Sequence, residues 1–257
     1  MDLSATALKD FLDEKSDFYN HPGFIPEDPI SIPHQFSLKE DIEIAGFLTA
    51  TIAWGNRKSI IKNANQLLEM MDYAPFEFIV GIETVDLKRF SSFVHRTFNG
   101  IDCVFFLESL SNIYKNSGGM EVIFSKPVQN GMSVKKAIIN FRQVFFELPH
   151  LHRTEKHVAN PLSNSSAKRL NMFLRWMVRA DNRGVDFGIW KSIKPADLFC
   201  PLDVHSGNVA RKLGMLTRKA NDWKAVEDLT EILRKLNPDD PIKYDFALFG
   251  LGVNEKF

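Results

Sequence analysis

Apolar residues recur at intervals of three and four along nearly the whole chain, and no stretch alternates apolar with polar residues as a half-buried strand would. That period restricts the fold to packed helices. The strongest segment, residues 42–53, is apolar almost all round, as a central buried helix would be, and Ser37 with Glu40 ahead of it has capping-box spacing. Gly55 and Asn56 interrupt the run. A second helix is expected beyond them, with Ile60, Ile61, Ala64, Leu67, Leu68 and Met71 on one face and Arg57, Lys58 and Lys62 at its exposed start.

Residues 21–36 carry Pro22, Pro26, Pro29 and Pro33 and read as an irregular strap. Between residues 76 and 147 the pattern is helical again, broken at Gly118 and Gly119 and at Asn130 and Gly131. Asn164, Ser165 or Ser166 can cap the next helix, whose apolar stripe is Leu170, Phe173, Leu174, Met177 and Val178. A looser segment over residues 180–201 leads to Asp203, placed to cap a helix that stops at Gly214. A final pair, residues 223–236 and 242–251, is split by Asn237-Pro238-Asp239-Asp240-Pro241. These segments predict nine or ten helices, no sheet, and one all-α domain over residues 1–257. Within it, an N-terminal helix and proline-rich strap (1–36) precede a core in two lobes (37–257).

With 257 residues, 44% of them hydrophobic, the chain can bury a large core, and 22 Phe against 4 Tyr and 4 Trp point to an interior filled by apolar rings. No stretch reaches the roughly 20 apolar residues of a membrane span, and the first residues lack a signal-peptide layout, so a cytoplasmic protein without membrane contact is expected. Cys103 and Cys200 are too few for a disulfide framework or an iron–sulfur cluster. His150, His152 and His157 show no carboxylate or thiolate at ligand spacing, so no metal and no cofactor are expected. Gly250-x-Gly252 lacks the strand and helix of a dinucleotide loop.

Net charge is zero, which argues against a protein that coats nucleic acid by bulk attraction, but charge is unevenly spread. Residues 1–45 hold ten acidic and three basic side chains, and residues 168–219 hold eleven basic and four acidic. Lys168 lies in the first turn of its helix, where a cation is disfavoured by up to about 1 kcal/mol and the neutral, nucleophilic amine is favoured. Asp203, as a cap, would be rigid and ionised, able to face positive charge developing on a sugar. His205 stands two residues on. Local sequence alone also fits a solvated lysine, an ordinary helix cap and a structural histidine.

Four segments, taken in order, resemble the helix-hairpin-helix DNA glycosylase superfamily. The run IEIAGFLTATIAWGNRKSIIKNANQLLEMM looks like its buried helix, polar turn and following helix. In SSAKRLNMFLRWM, Lys168 takes the place of the lysine that opens the hairpin's second helix in bifunctional members. PLDVHSGNVARKLGM resembles the signature aspartate, histidine and basic helix. AVEDLTEILRKLNPDDPIKYDFALFGLG looks like the closing helix pair. The chain also looks like a member of a family of uncharacterised bacterial proteins.

The resemblance implies a two-lobed helical fold with its site in the cleft between lobes. It implies a glycosylase and lyase acting on a damaged base in DNA, through a Schiff base on Lys168 with Asp203 as the catalytic carboxylate and His205 supporting them. Trp54, Gly55 and Asn56 would contact the base or fill its gap, and Arg169, Arg175 and Arg211 would bind phosphates. Two departures stand out. Asn164, Ser165 and Ser166 replace the glycine-flanked hairpin, and the 35-residue separation of Lys168 and Asp203 is closest to archaeal enzymes that remove 8-oxoguanine. DNA, or RNA, is the expected partner; a non-catalytic nucleic-acid-binding module and a protein-interaction domain are the alternatives.

Overall fold

The structure, a computed structural model, describes residues 4–257 and is helical, with two β-strands of two residues each among them. It divides into two compact units, Ile25–Ala159 and a discontinuous one made of Met1–Phe24 and Asn160–Phe257. Among the described residues no helix is long and apolar enough to cross a membrane.

The continuous unit contains α2 (Lys39–Ile52), α3 (Arg57–Glu69), α4 (Pro75–Gly81), α5 (Gly100–Asn116), α6 (Met120–Gln129) and α7 (Val134–Phe145). As the apolar run predicts, α2 is buried from Ile42 to Ile52. Around it Phe47, Phe106, Phe141 and Phe145 meet edge to face or stacked, with Phe124 stacked on Phe141 at 4.4 Å. Such pairs add about 0.5–1.5 kcal/mol each beyond the area they bury. Gly118, Gly119 and Gly131, all at positive φ, turn the chain where the breaks are expected.

Three local expectations need correction. Ser37 does not cap α2: the chain is still extended at Phe36 and Leu38, so the cap position falls on Leu38, which has no side-chain acceptor. The proline strap is not irregular, because three short 3-10 turns, Pro22–Glu27, Pro29–Ser31 and Pro33–Gln35, use proline's fixed φ. A small antiparallel hairpin, β1 (Val94–His95) with β2 (Phe98–Asn99), pairs Val94 with Asn99 and His95 with Phe98. It is too short to give an alternation signal.

The discontinuous unit contains α1 (Ala5–Tyr19), α8 (Lys168–Val178), α9 (Val204–Lys212), α10 (Trp223–Leu236) and α11 (Tyr244–Val253). The described residues thus form eleven α-helices, one more than the upper expectation. Helix α11 packs against α1 and α9. Its two glycines, no part of a nucleotide loop, permit that approach: a Cβ on Gly250 would fall 2.2 Å from the Tyr19 ring, and one on Gly252 would fall 3.0 Å from the His205 backbone oxygen.

Candidate functional site

Helix α8 does not start as the sequence suggests. Its cap position is Ala167, in the left-handed conformation at φ 47° and 1% exposed, and neither Asn164, Ser165 nor Ser166 caps it. Ser165 instead receives the Ala167 N–H and pairs with Asp222, while Asn164 occupies a second left-handed position at φ 59°. The turn without glycine is therefore built from two non-glycine residues at positive φ, which Asn164 tolerates and which costs Ala167 roughly 1–2 kcal/mol of strain. Asn171, one turn into the helix, ties it back by donating from Nδ2 to the Ser166 carbonyl at 3.1 Å. These contacts fix where Lys168 emerges.

Asp203 caps α9 as expected. Its Oδ1 accepts the His205 N–H at 2.9 Å and the Ser206 N–H at 3.1 Å, and Ser206 Oγ returns the favour by accepting the Asp203 N–H at 3.0 Å. That leaves Oδ2, which stands 3.7 Å from Lys168 Nζ. Both side chains are one-quarter exposed, so the pair is reachable from solvent yet held on two helix starts of one unit. Met172 Sδ lies 3.6 Å from the same ammonium.

Behind the pair is a buried charge network. Arg175 Nε bonds Asp186 at 3.2 Å and its Nη1 bonds Asp245; Arg179 bonds Asp181, Asp186 and Asp240. The Arg175 guanidinium also sits 4.4 Å from the Phe246 ring centre. Desolvation raises Asp245 to about 6, opposed by the charges of Arg175 and Lys168, and the Asp203 charge adds to the rise. The Cys200 thiol is pushed far up by burial and by Asp245, so it is an inert part of the core.

Several expected roles change. Arg175 is interior and ion-paired, which removes it from the phosphate-binding set. Arg211 spends its guanidinium on the following loop, donating to the Arg218 and Lys219 carbonyls at 2.8 Å and to Asn221 Oδ1. Asn221 in turn donates to the Asp203 carbonyl at 2.9 Å, so Arg211 braces the loop that holds Asp203 while also lining the open groove beside His205. Arg169 is half-buried, and desolvation lowers it to about 10. His205 contributes its backbone N–H to Asp203, while its exposed side chain lines an open groove with Asn208, Lys212 and Lys256.

Sequence reading missed Ser206, Asn221, Asn171 and Asp245. Two left a signal: Ser206 sits at capping-box distance from Asp203, and Asp245 is the one acid in the otherwise apolar helix YDFALFGLGV.

In the other unit, Trp54 is half-exposed, with its ring against His95 at 5.1 Å and His157 at 5.9 Å, and Asn56 caps α3 by accepting the Ser59 N–H. Gly55 lies beside it at φ 100°. Glu155 corrects the reading of the histidines: its carboxylate contacts His152 at 3.0 Å and His150 at 3.5 Å, although Arg142 shares it. No group of three or more His, Cys, Asp or Glu that could hold a metal ion occurs among the described residues.

The fold and the site define a class: an all-helical protein with an accessible lysine–aspartate ion pair on two helix starts, backed by buried charge. The chain belongs to the family described as protein of unknown function (DUF2400), which it matches over residues 28–254. No curated protein and no solved structure matches it.

Proposed function

We propose that the protein is a lysine-dependent DNA glycosylase and lyase of helix-hairpin-helix type that acts on a damaged base, with 8-oxoguanine the first candidate. The observation that carries this reading is the 3.7 Å approach of Lys168 Nζ to Asp203 Oδ2 on rigid, partly exposed helix starts. A nucleophilic amine with a fixed carboxylate at ion-pair distance, close enough to pass a proton through one water, is what Schiff-base chemistry on a sugar requires. Asp203 takes a proton from the ammonium. The neutral Nζ then attacks the anomeric carbon, and the electron pair of the glycosidic bond leaves with the base, which takes up the proton held by Asp203. Loss of the second amine proton and opening of the sugar ring give an iminium, which acidifies the neighbouring carbon and permits elimination of the 3′ phosphate. With its proton delivered to the base, Asp203 is again a carboxylate and offsets the positive charge of the iminium.

Borohydride tests this directly, since it reduces the iminium to a stable amine. Wild-type protein mixed with a duplex carrying 8-oxoguanine or an abasic site should give a covalent adduct that Lys168→Ala abolishes. An adduct that survives Lys168→Ala removes the mechanism at this lysine, and no adduct with either duplex removes it and favours a non-catalytic nucleic-acid-binding module.

A further inference from the structure

The β1–β2 hairpin ends in Arg96 and Thr97, and Arg96 holds a left-handed backbone at φ 56°. Glycine or asparagine usually fills such a position, and an arginine there costs roughly 1 kcal/mol or more. Strain of this kind persists only where the surroundings enforce it. They do so here from three sides. His95 is buried, hydrogen-bonded to Asn63 on α3 at 2.8 Å and to the Trp54 carbonyl at 3.2 Å. Arg153 grips the far strand, donating to the Thr97 carbonyl at 3.0 Å and to Asn99 Oδ1 at 2.9 Å. Asn99 and Asp102 form a capping box at the start of α5.

The braced tip aims its cation at the Trp54–Gly55 turn. A Cβ on Gly55 would fall 2.7 Å from Arg96 Nη1, so only glycine leaves the guanidinium where it is. Arg96 is exposed and has no hydrogen bond or ion pair among the described residues. The same holds for Lys58 and Lys62 on α3, the helix tied to the hairpin through Asn63 and His95. The one acid inside this framework, Asp102, is fully buried and already met by Arg153, His157 and Thr154. An exposed cation without a partner, carried on a strained and braced backbone whose hairpin is tied to the helix bearing two more such cations, lacks an anion.

We infer that the Arg96 hairpin, with Lys58 and Lys62, is a phosphate-binding surface for a nucleic-acid strand passing over the Trp54–Gly55 turn. The half-exposed indole beside the cations favours a strand with aromatic bases over an acidic polypeptide, which offers charge alone. This rests on the reading of the protein as one that acts on nucleic acid, and names where the backbone is gripped.

The test reads binding without chemistry. Fluorescence anisotropy with labelled oligothymidine, and with an undamaged duplex, is followed over a salt series for wild type and for Arg96→Gly and Arg96→Asn. Both substitutions suit positive φ, so the hairpin keeps its shape while the cation goes. Each should weaken binding at low salt roughly tenfold and reduce the slope of log K against log salt by about 0.7 on the single strand and about 0.9 on the duplex. Polyglutamate should compete poorly. An unchanged slope and affinity in both variants overturns the surface, as does competition by polyglutamate equal to that of oligothymidine. Failed trapping at Lys168 leaves a positive result here standing, and an Arg96-independent slope overturns this surface whatever Lys168 does.

Discussion

One oxygen of Asp203 caps α9 and the other faces Lys168, and on the proposed function substitution separates the two. Asparagine caps a helix about as well as aspartate, so Asp203→Asn should change unfolding free energy by less than about 1 kcal/mol while abolishing trapped adduct; Asp203→Ala should lose the adduct and about 1 kcal/mol of stability as well. Urea unfolding of both variants beside the trapping assay checks this. A variant that keeps full trapping as Asn would remove Asp203 from the chemistry. The helix-start character of Lys168 and Asp203 was legible in the sequence because capping is local. That the two approach to 3.7 Å was not, since 34 residues lie between them, most of them in the looser segment that follows α8. Arg175 misled for the same reason. It lies off the expected apolar stripe of α8, and its real partners, Asp186 and Asp245, come from a loop and a distant helix.

Helices α8 and α11 share the consequence of that pairing. The expected stripe on α8 is present, but Asn171, Met172, Arg175 and Trp176 are buried too, so the helix is enclosed on all sides from Leu170 onward. Removing one partner of a buried ion pair strands the other charge, and Arg175→Ala should cost about 3–5 kcal/mol in urea unfolding. On α11, Asp245 ties stability to pH. Its carboxyl titrates near 4 in an unfolded chain and at about 6 in the fold. Below the lower value both states hold the proton and the group contributes nothing. Between them only the folded state holds it, and above the upper value the fold carries an ionised buried acid, at a cost of roughly 3 kcal/mol. Stability should therefore fall through this group as pH rises from about 4 to about 6.5, and Asp245→Asn should remove that part of the slope. Equal slopes in the two proteins would contradict the assignment.

At the scale of the whole molecule, helix content and most boundaries were readable because each helix buries a face of 3.6-residue period. Which helices meet was not. Helix α1 shows Leu8, Leu12, Ser16 and Tyr19 on its buried face, yet nothing in that pattern says its partner is α11, at the other end of the chain. The unit holding Lys168 and Asp203 is consequently discontinuous, whereas Ile25–Ala159 is a single stretch. Local contacts form before distant ones because closing a long loop costs chain entropy. Pulse-labelled hydrogen exchange during refolding should show α5, α6 and α7 protected first, with α1 and α11 gaining protection together and later; α1 protected ahead of α5 to α7 would refute that order. The same pairing has a mechanical side. A pull applied through the two ends of the chain loads the α1–α11 contact in shear, so under tension that helix pair should part first and set the force at which the lysine–aspartate unit begins to open.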